Sequence, residues 1–335
     1  MAASSSRALR AFLRYKPNHS IIATQSYTSN AIACRHLHQG TVHPSAIVHP
    51  DAVIGEGVSI GPFCTVSRFA RIGNECQLHV GSHIMGHTEL GDNCVLLTGA
   101  VVGADTPGQT TIGNRNVIGH YAVVGVKCQD LKYKKGDECF LQIGNNNDIR
   151  EHTSIHRSSN STDMTVIGDN NLIMGSCHVA HDCKIGSHNI FANGTLLAGH
   201  VVVEDYVHTA GSVAVHQFCQ LGSYSFIGGG STISQDVPKY MMVSGARAEL
   251  RGLNLEGLRR NSFSTMEVQK MRKAYCKIFM ASDAINGSFD DRLSQVENMG
   301  ELADSEFVLS MIKSIRASFD QGRRGICKVR SWFGA

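Results

Sequence analysis

The chain is poor in large rings and in chain-stiffening residues: one Trp, six Pro and 7% aromatics over 335 positions. A core built around aromatic packing is therefore not expected. No apolar run approaches the ~20 residues that a membrane-crossing helix needs, and there is no secretory signal. The 11 cysteines contain no CxxC pair, so neither a disulfide framework nor a zinc ribbon is supported. Net charge is only +3, and the excess comes from the first 40 residues, where Arg7, Arg10, Arg14, Lys16 and Arg35 occur and no acidic residue appears before Asp51. The remainder is near neutral and lacks the basic excess of a nucleic-acid binder. Residues 1–40, Ser-rich, basic and free of acids, carry the pattern of an organellar transit peptide, with Arg7, Arg10 and Arg14 on one helical face. Arginine content favours the mitochondrion over the plastid.

What the chain has in abundance is a period of six. Apolar residues run Val42, Val48, Ile54, Ile60, Val66, Ile72, Leu78, Ile84, Leu90, Leu96, Val102 without a break. The phase resumes at Ile112, Ile118 and Val124, again at Ile143, Ile149 and Ile155, and then from Ile167 to Ile233. Of 29 such positions, 28 hold Val, Ile, Leu or Phe, the exception being Thr209. Six fits neither an amphipathic helix nor an alternating strand. It fits a coil with three short faces, one aliphatic plug per face and a tight turn where Gly is expected to relieve steric limits. The fold expected is a left-handed parallel β-helix, with residues 18 apart stacked at roughly 4.8 Å.

Three interruptions, near 104–111, 128–142 and 158–165, read as loops, the last with Ser161 at a plug position. Cys64, Cys76, Cys94, Cys128, Cys177, Cys183 and Cys219 each fall four residues after a plug, a second inward site where small core thiols fit. After Val237-Pro238 the period stops. A capping box at Ser264-Thr265-Met266-Glu267 opens a helix to about Ala281, a shorter helix is expected over 285–300, and another from Asp304 to before Gly322. The organisation expected is 1–40 targeting, 41–237 β-helix and 238–335 helical domain. A prism of this kind is expected to form a closed cyclic oligomer, a trimer.

Eighteen-residue stacking also brings chemistry together. Ala180-His181-Asp182, Ala198-Gly199-His200 and His216-Gln217-Phe218 share one corner on successive coils. His200 then lies one coil from Asp182, and His181 sits beside Gly199, which leaves room for the imidazole. With His178 and Ser176 just before, the cluster fits a general-base site, a metal site or a polar corner. Zinc held by histidines across a trimer interface, as in gamma-class carbonic anhydrases, is the metal version. The loop Gln129-Asp130-Leu131-Lys132-Tyr133-Lys134-Lys135 offers Lys for phosphate and Asp for sugar hydroxyls, and His156-Arg157 adds two more phosphate-binding groups. Arg247, Arg251, Arg259 and Arg260 form a basic stretch suited to an anionic partner.

The segments Gln129-Asp130-Leu131-Lys132-Tyr133, Ile155-His156-Arg157, Ala180-His181-Asp182-Cys183 and Ala214-Val215-His216-Gln217-Phe218 resemble the acyl-carrier-protein-dependent UDP-N-acetylglucosamine O-acyltransferases of lipid A biosynthesis. Gln235-Asp236-Val237-Pro238 and Asn254-Leu255-Glu256-Gly257-Leu258-Arg259-Arg260 extend the match. The resemblance implies transfer of a 3-hydroxyacyl group from acyl carrier protein to the sugar 3-hydroxyl, with the carrier-bound thioester as co-substrate and no other cofactor. It implies His181 as general base, Asp182 as its orienting carboxylate and the Gly199 amide as oxyanion donor. It places His156, His178, His200, His216, Gln217, Asp130 and Lys132 in substrate binding. Asn254, Glu256 and Arg260 would hold the nucleotide, and Gly229 would set acyl length, with no metal. The chain departs from the family at Asn261, where Arg is common, at Arg247, where His is common, and in lacking a Gly run at 158–165. The alternatives are another hexapeptide acyltransferase, using acetyl-CoA or an amino-sugar acceptor, and a carbonic anhydrase-like or structural β-helix subunit of an organellar complex.

Overall fold

The computed structural model describes residues 40–280 and 287–328; the expected targeting segment lies outside the described residues. Strands of two to five residues wind into three sheets of ten, nine and eleven strands. Every pairing between coils is parallel, and residues 18 apart align, as Ile190 with His208 and Phe191 with Thr209. The result is the left-handed parallel β-helix expected from the period of six.

The plugs fill the axis. Ile84, Leu96, Val102, Ile118, Phe191 and Leu197 are fully buried, each contributing about 1.5–3 kcal/mol by leaving water. At the N-terminal end of the described residues the plug Val42 is half exposed. Thr209 keeps its place because its hydroxyl meets that of Thr195 at 2.7 Å, while Thr195 also reaches the Ala192 carbonyl. A polar atom inside the prism is tolerated when it is bonded. The inward cysteines are buried and free, and several close the corner by bonding across coils, as Cys76 Sγ to the Gly91 carbonyl at 3.1 Å.

The glycines after the plugs do a different job from the one expected. The left-handed turn residue stands three positions after the plug, and it is often not Gly: Phe63, Asn93, Tyr121, Asp182, His200 and Phe218 all have φ between 58° and 66°, apart from Tyr121 at 55°. Gly73, one position after its plug, has no positive φ; a Cβ there would lie 2.6 Å from the Gly91 carbonyl carbon of the next coil. Gly at that position permits close stacking, not the turn.

The loops are tighter than the sequence suggests, because the returning chain pairs early: Gly108–Ile112 aligns with Cys139–Ile143. Ser161 is exposed, not a plug. Its hexad is an insertion, so Ser154 aligns with His178, 24 residues on.

At Val237 the plugs stop but the sheet does not. Met241–Ser244 adds to the eleven-stranded sheet beside Phe226–Ile227, and Glu249–Leu253 pairs with it antiparallel. Among the described residues five helices follow: α1 (Leu255–Arg260), α2 (Thr265–Phe279), α3 (Phe289–Glu297), α4 (Gly300–Ala303) and α5 (Glu306–Ala317). The Ser264–Glu267 capping box opens α2 as read; a second, Ser288 with Asp291, opens α3. Met271, Ile278, Val296, Met311 and Ile315 form the buried seam between helices. The chain then returns to the prism: Cys327 N–H donates to the Asp236 carbonyl, and Arg323 meets the Asp236 carboxylate at 2.6 Å. A break between two domains at 237/238 is thus bridged by a shared sheet and by this return.

Candidate active site

The site begins with a corner that must turn in the left-handed region. After the His178–Val179 strand, Asp182 adopts φ 61°, a conformation that Asp and Asn tolerate better than most residues. The turn directs the Asp182 carboxylate inward, where it has no solvent exposure. Oδ2 meets His181 Nδ1 at 2.7 Å, and Oδ1 accepts the Ser159 N–H at 3.0 Å. Burial alone would push this carboxyl up, yet the bonds from His181 and Ser159 outweigh it and hold it below the usual carboxylate range. An ionised Asp182 makes Nδ1 the protonated nitrogen of neutral His181, so the Nε2 lone pair is free to accept a proton.

Nε2 points across the cleft toward Asp130, whose Oδ2 is 3.9 Å away. The Asp130 side chain is fixed by the Lys132 N–H, which donates to its Oδ1 at 2.8 Å. One coil on, Gly199 lies against the His181 ring; a Cβ there would be 2.5 Å from Cε1. His200 sets its ring edge-on to His181 at 5.2 Å, with Nε2 3.6 Å from Asp182 Oδ2, and stacks flat on Phe218 at 4.7 Å. The stacking expected from the repeat, His181 beside Gly199 and His200 beside Asp182, is present.

Asp130, Lys132, His181, Gly199, His200 and Phe218 line a cleft of about 730 Å³ that also takes in Gln129, Leu131, Leu196 and Gln217. Leu131, Leu196, Val215 and Phe218 are the larger apolar side chains of its lining. His178 lines it too, its Nδ1 2.8 Å from Ser154 Oγ. Burial, then the nearby His181, lowers its pKa. His156 stands edge-on to His178, ring centroids 5.1 Å apart, and burial followed by His178 lowers its pKa to about 4.

Several expected groups lie elsewhere. His156 is buried and does not line the cleft. His216 is exposed, with Nδ1 3.2 Å from the Gln217 carbonyl, and is also absent from the lining. Arg157 is wholly buried, its Nε donating to Thr110 Oγ1 at 2.9 Å and Nη1 to the Thr106 carbonyl; it holds the first loop and cannot meet a phosphate at the surface. Gly229 occupies a different corner, exposed, where a Cβ would come no nearer than 3.4 Å to the Gly211 oxygen. Asn254, Glu256 and Arg260 line a second cavity of about 480 Å³ with His188, Tyr206, Tyr224 and His208. The basic stretch is largely paired: Arg251 with Glu249, and Arg259 and Arg260 with Glu256. Asn261 caps α1, donating to the Gly257 carbonyl, and Arg247 lies exposed in the turn before Glu249.

His181, Asp182 and His200 offer donor atoms within 4.8 Å of one another, a set that a divalent ion could share. Asp182 Oδ2 is instead spent on His181 Nδ1. Ser159, in the inserted loop, and Thr165, at the start of the Thr165–Ile167 strand, whose Oγ1 accepts the Asp182 N–H at 2.9 Å, carry no signal in the sequence because the insertion breaks the repeat before them. Leu196 was legible, since it stacks on His178 by the 18-residue rule.

Two family models match: one described as UDP N-acetylglucosamine O-acyltransferase, domain 2, over residues 236–327, and the bacterial transferase hexapeptide over 69–104 and 164–199. A protein of Arabidopsis thaliana, named as a probable mitochondrial acyl-carrier-protein–UDP-N-acetylglucosamine O-acyltransferase, is 66% identical over 255 residues, 76% of each chain. One of that activity's name from Nautilia profundicola is 43% identical over 61% of this chain and 79% of its own. The Arabidopsis UDP-N-acetylglucosamine acyltransferase structure superposes with TM-score 0.85 at 66% identity, over 86% of this chain and all of that one. LpxA from Acinetobacter baumannii does so at 0.69 and 40% identity, over 86% and 99%. Fold, cleft and relatives agree: the chain belongs to the UDP-N-acetylglucosamine O-acyltransferase family.

Proposed function

We propose that this chain transfers a 3-hydroxyacyl group from acyl carrier protein to the 3-hydroxyl of UDP-N-acetylglucosamine, the first step of lipid A-type synthesis. The observation that carries the reading is the His181–Asp182 pair opening on a cleft whose lining holds both polar and apolar side chains. His181 Nε2 takes the sugar hydroxyl proton as the oxygen attacks the thioester carbonyl. A new C–O bond forms and the carbonyl oxygen becomes an oxyanion beside the Gly199 amide. Collapse breaks the C–S bond, and the imidazolium returns its proton to the departing thiolate. Asp182 holds the tautomer and offsets the imidazolium charge.

Asp130 and Lys132 are suited to the glucosamine. His178, His200 and Gln217 are suited to the sugar or the pantetheine arm, and Leu131, Leu196 and Phe218 to the acyl chain. Asn254, Glu256 and Arg260 stand in a separate cavity, so their part in nucleotide binding belongs to a homotrimer in which the two cavities of neighbouring protomers face each other. His156 and His216 act only through such an assembly or through His178. Gly229 sets chain length on the same condition. The mitochondrion is the expected location, after the name of the Arabidopsis relative. Among the described residues no helix is long and apolar enough to cross a membrane.

The test is the full chain with 3-hydroxyacyl carrier protein and UDP-N-acetylglucosamine, with mass detection of product and metal content measured on the same sample. His181→Ala should lose roughly 10²–10⁴-fold in turnover while remaining folded. A mutant within a few-fold of wild type removes the general-base role. Stoichiometric zinc lost with activity on chelation would move the site to the metal reading.

A further inference from the structure

We propose that Ser154 is a positioning residue that sets the tautomer of His178. Its hydroxyl holds the ring with the proton on Nε2, so that His178 meets substrate as a neutral N–H donor while His181 acts as the proton acceptor. The inference rests on the acyltransfer reading above and gives Ser154 and His178 separate parts in it.

The two imidazoles are held at the same ring atom by different partners. His181 Nδ1 faces the Asp182 carboxylate at 2.7 Å, which when ionised can only accept, so the His181 proton stays on Nδ1. His178 Nδ1 faces the Ser154 hydroxyl at 2.8 Å, which can donate or accept. The surroundings of the hydroxyl decide between the two. Ser154 stands in a column of outward side chains on one sheet, aligned with Val123 on the coil before and His178 on the coil after, and His178 is aligned in turn with Leu196. Val123 and Leu196 carry no side-chain acceptor, and among the described residues the Ser154 hydroxyl makes no hydrogen bond but this one. Its hydrogen is satisfied when it points at the Nδ1 lone pair. With a proton on Nδ1 instead, the ring would donate to Oγ and leave the hydroxyl hydrogen without an acceptor among the described groups.

Nε2 is then the protonated nitrogen, and the only one left to address the cleft that His178 lines. The ring stays neutral, because burial and then the nearby His181 disfavour its charged form; His156, edge-on at 5.1 Å, adds no carboxylate to reverse that. A neutral N–H suits an uncharged acceptor oxygen, a carbonyl or hydroxyl of the sugar or of the carrier arm, whereas a phosphate calls for a cation. The repeat conceals the pair: the inserted hexad sets Ser154 and His178 24 residues apart, so 18-residue stacking does not join them.

Two measurements on the full chain test this. In nitrogen NMR of protein labelled in the histidine rings, with the His178 signals identified by their loss in His178→Gln, Nδ1 should read as an unprotonated nitrogen and Nε2 as a protonated one. A protonated Nδ1 overturns the proposal, and this readout needs no turnover. In steady-state kinetics, Ser154→Ala removes one neutral hydrogen bond and should raise KM about fivefold for whichever co-substrate holds the acceptor, UDP-N-acetylglucosamine or acyl carrier protein, with kcat and Tm little changed. Ser154→Thr, which keeps the hydroxyl, should restore most of the affinity. In a His178→Gln background Ser154→Ala should cost little more, since no tautomer remains to be set. Should the Ala protein not fold, Ser154→Cys keeps the volume and weakens the donor, and the same pattern is expected at smaller size. Unchanged KM for both co-substrates in the Ala or Cys variant, or a full fivefold rise persisting beside His178→Gln, overturns the proposal. His181→Ala measured in parallel keeps the two readings apart. An active His181→Ala removes the base assignment itself, whereas an inactive one beside an unaffected Ser154→Ala removes only the role of Ser154.

Discussion

Two corners of the same prism have the same backbone and different contents. At one, Asp182, His200 and Phe218 take φ 61°, 61° and 66°; at the next, His188, Tyr206 and Tyr224 take φ 60°, 59° and 59°. Each set lies 18 residues apart along the chain and one coil apart in space. At the second corner the side chains are alike and flat, and they stack: His188 on Tyr206 at 4.7 Å and Tyr206 on Tyr224 at 4.8 Å, each within 6° of parallel. At the first, the sequence breaks that uniformity with a carboxylate, and the flanking position is emptied at Gly199. The scaffold is therefore neutral with respect to chemistry. What sets the first corner apart is a change of side chain at three stacked positions and a loop that supplies a donor from outside the repeat.

The comparison assumes that both corners share one rigid axis, and removing a plug tests that. Phe191 is fully buried in the coil that carries both Asp182 and His188, stacked between Ile173 and Thr209. Phe191→Ala should cost about 3–5 kcal/mol, read as a lowered midpoint in denaturant, with activity lost in step with folding. A loss well below 1 kcal/mol would mean that the coils are held together chiefly by their edges.

Acid should strain the first corner next. His156 is neutral in the folded chain down to about pH 4 because burial, then His178, disfavours its charged form. In the unfolded chain it titrates near 6.5, so protons bind the unfolded state first. Its contribution to stability is full above about pH 6.5 and is lost as pH falls toward 4, on the order of 3 kcal/mol. His156→Gln should flatten that part of the stability–pH curve. An unchanged slope would assign acid sensitivity to other groups, with His178 and His208, whose pKa values burial also lowers, the first to examine.

Refilling the emptied position should silence the first corner without unfolding it. Gly199→Ala places a methyl 2.5 Å from His181 Cε1 and 2.7 Å from Nε2. The ring must move, and misplacing a catalytic group by about 1 Å costs on the order of 10²-fold. The expected result is that loss in kcat with Tm little changed. An active Gly199→Ala protein would show that the imidazole has more freedom than its bond to Asp182 suggests.

Much of this arrangement was legible because stacking is arithmetic. Once plugs recur every six residues, neighbours 18 apart follow, and His181 beside Gly199 or His200 beside Asp182 needs no structure to find. The arithmetic fails where the phase fails. Ser159 and Asp182 are 23 residues apart and Arg157 and Thr110 47 apart, separations that no repeat encodes. Arg157 read as a surface phosphate ligand because arginine is seldom buried whole; here the backbone and threonine oxygens of the first loop receive it. His216 misled for the opposite reason. It is in phase with the corner, but one position before the residue that faces the cleft, Gln217. The return of Arg323 to Asp236, 87 residues on, likewise depends on how helices pack and not on any local signal.

The smallest expected effect concerns the second corner. Arg260 and Glu256 form an exposed i,i+4 pair at 2.8 Å on α1, worth only about 0.3–0.5 kcal/mol, and Arg259 shares the same carboxylate. Arg260→Ala should therefore leave Tm within a degree or so. Its loss would be felt in binding: with the guanidinium gone from a cavity that also holds Tyr206 and Asn254, KM for UDP-N-acetylglucosamine should rise about tenfold while kcat holds, the mark of an interaction made equally in ground and transition states. A fall in kcat at constant KM would place Arg260 with the chemistry of the first corner instead, and the division of labour between the two corners would have to be redrawn.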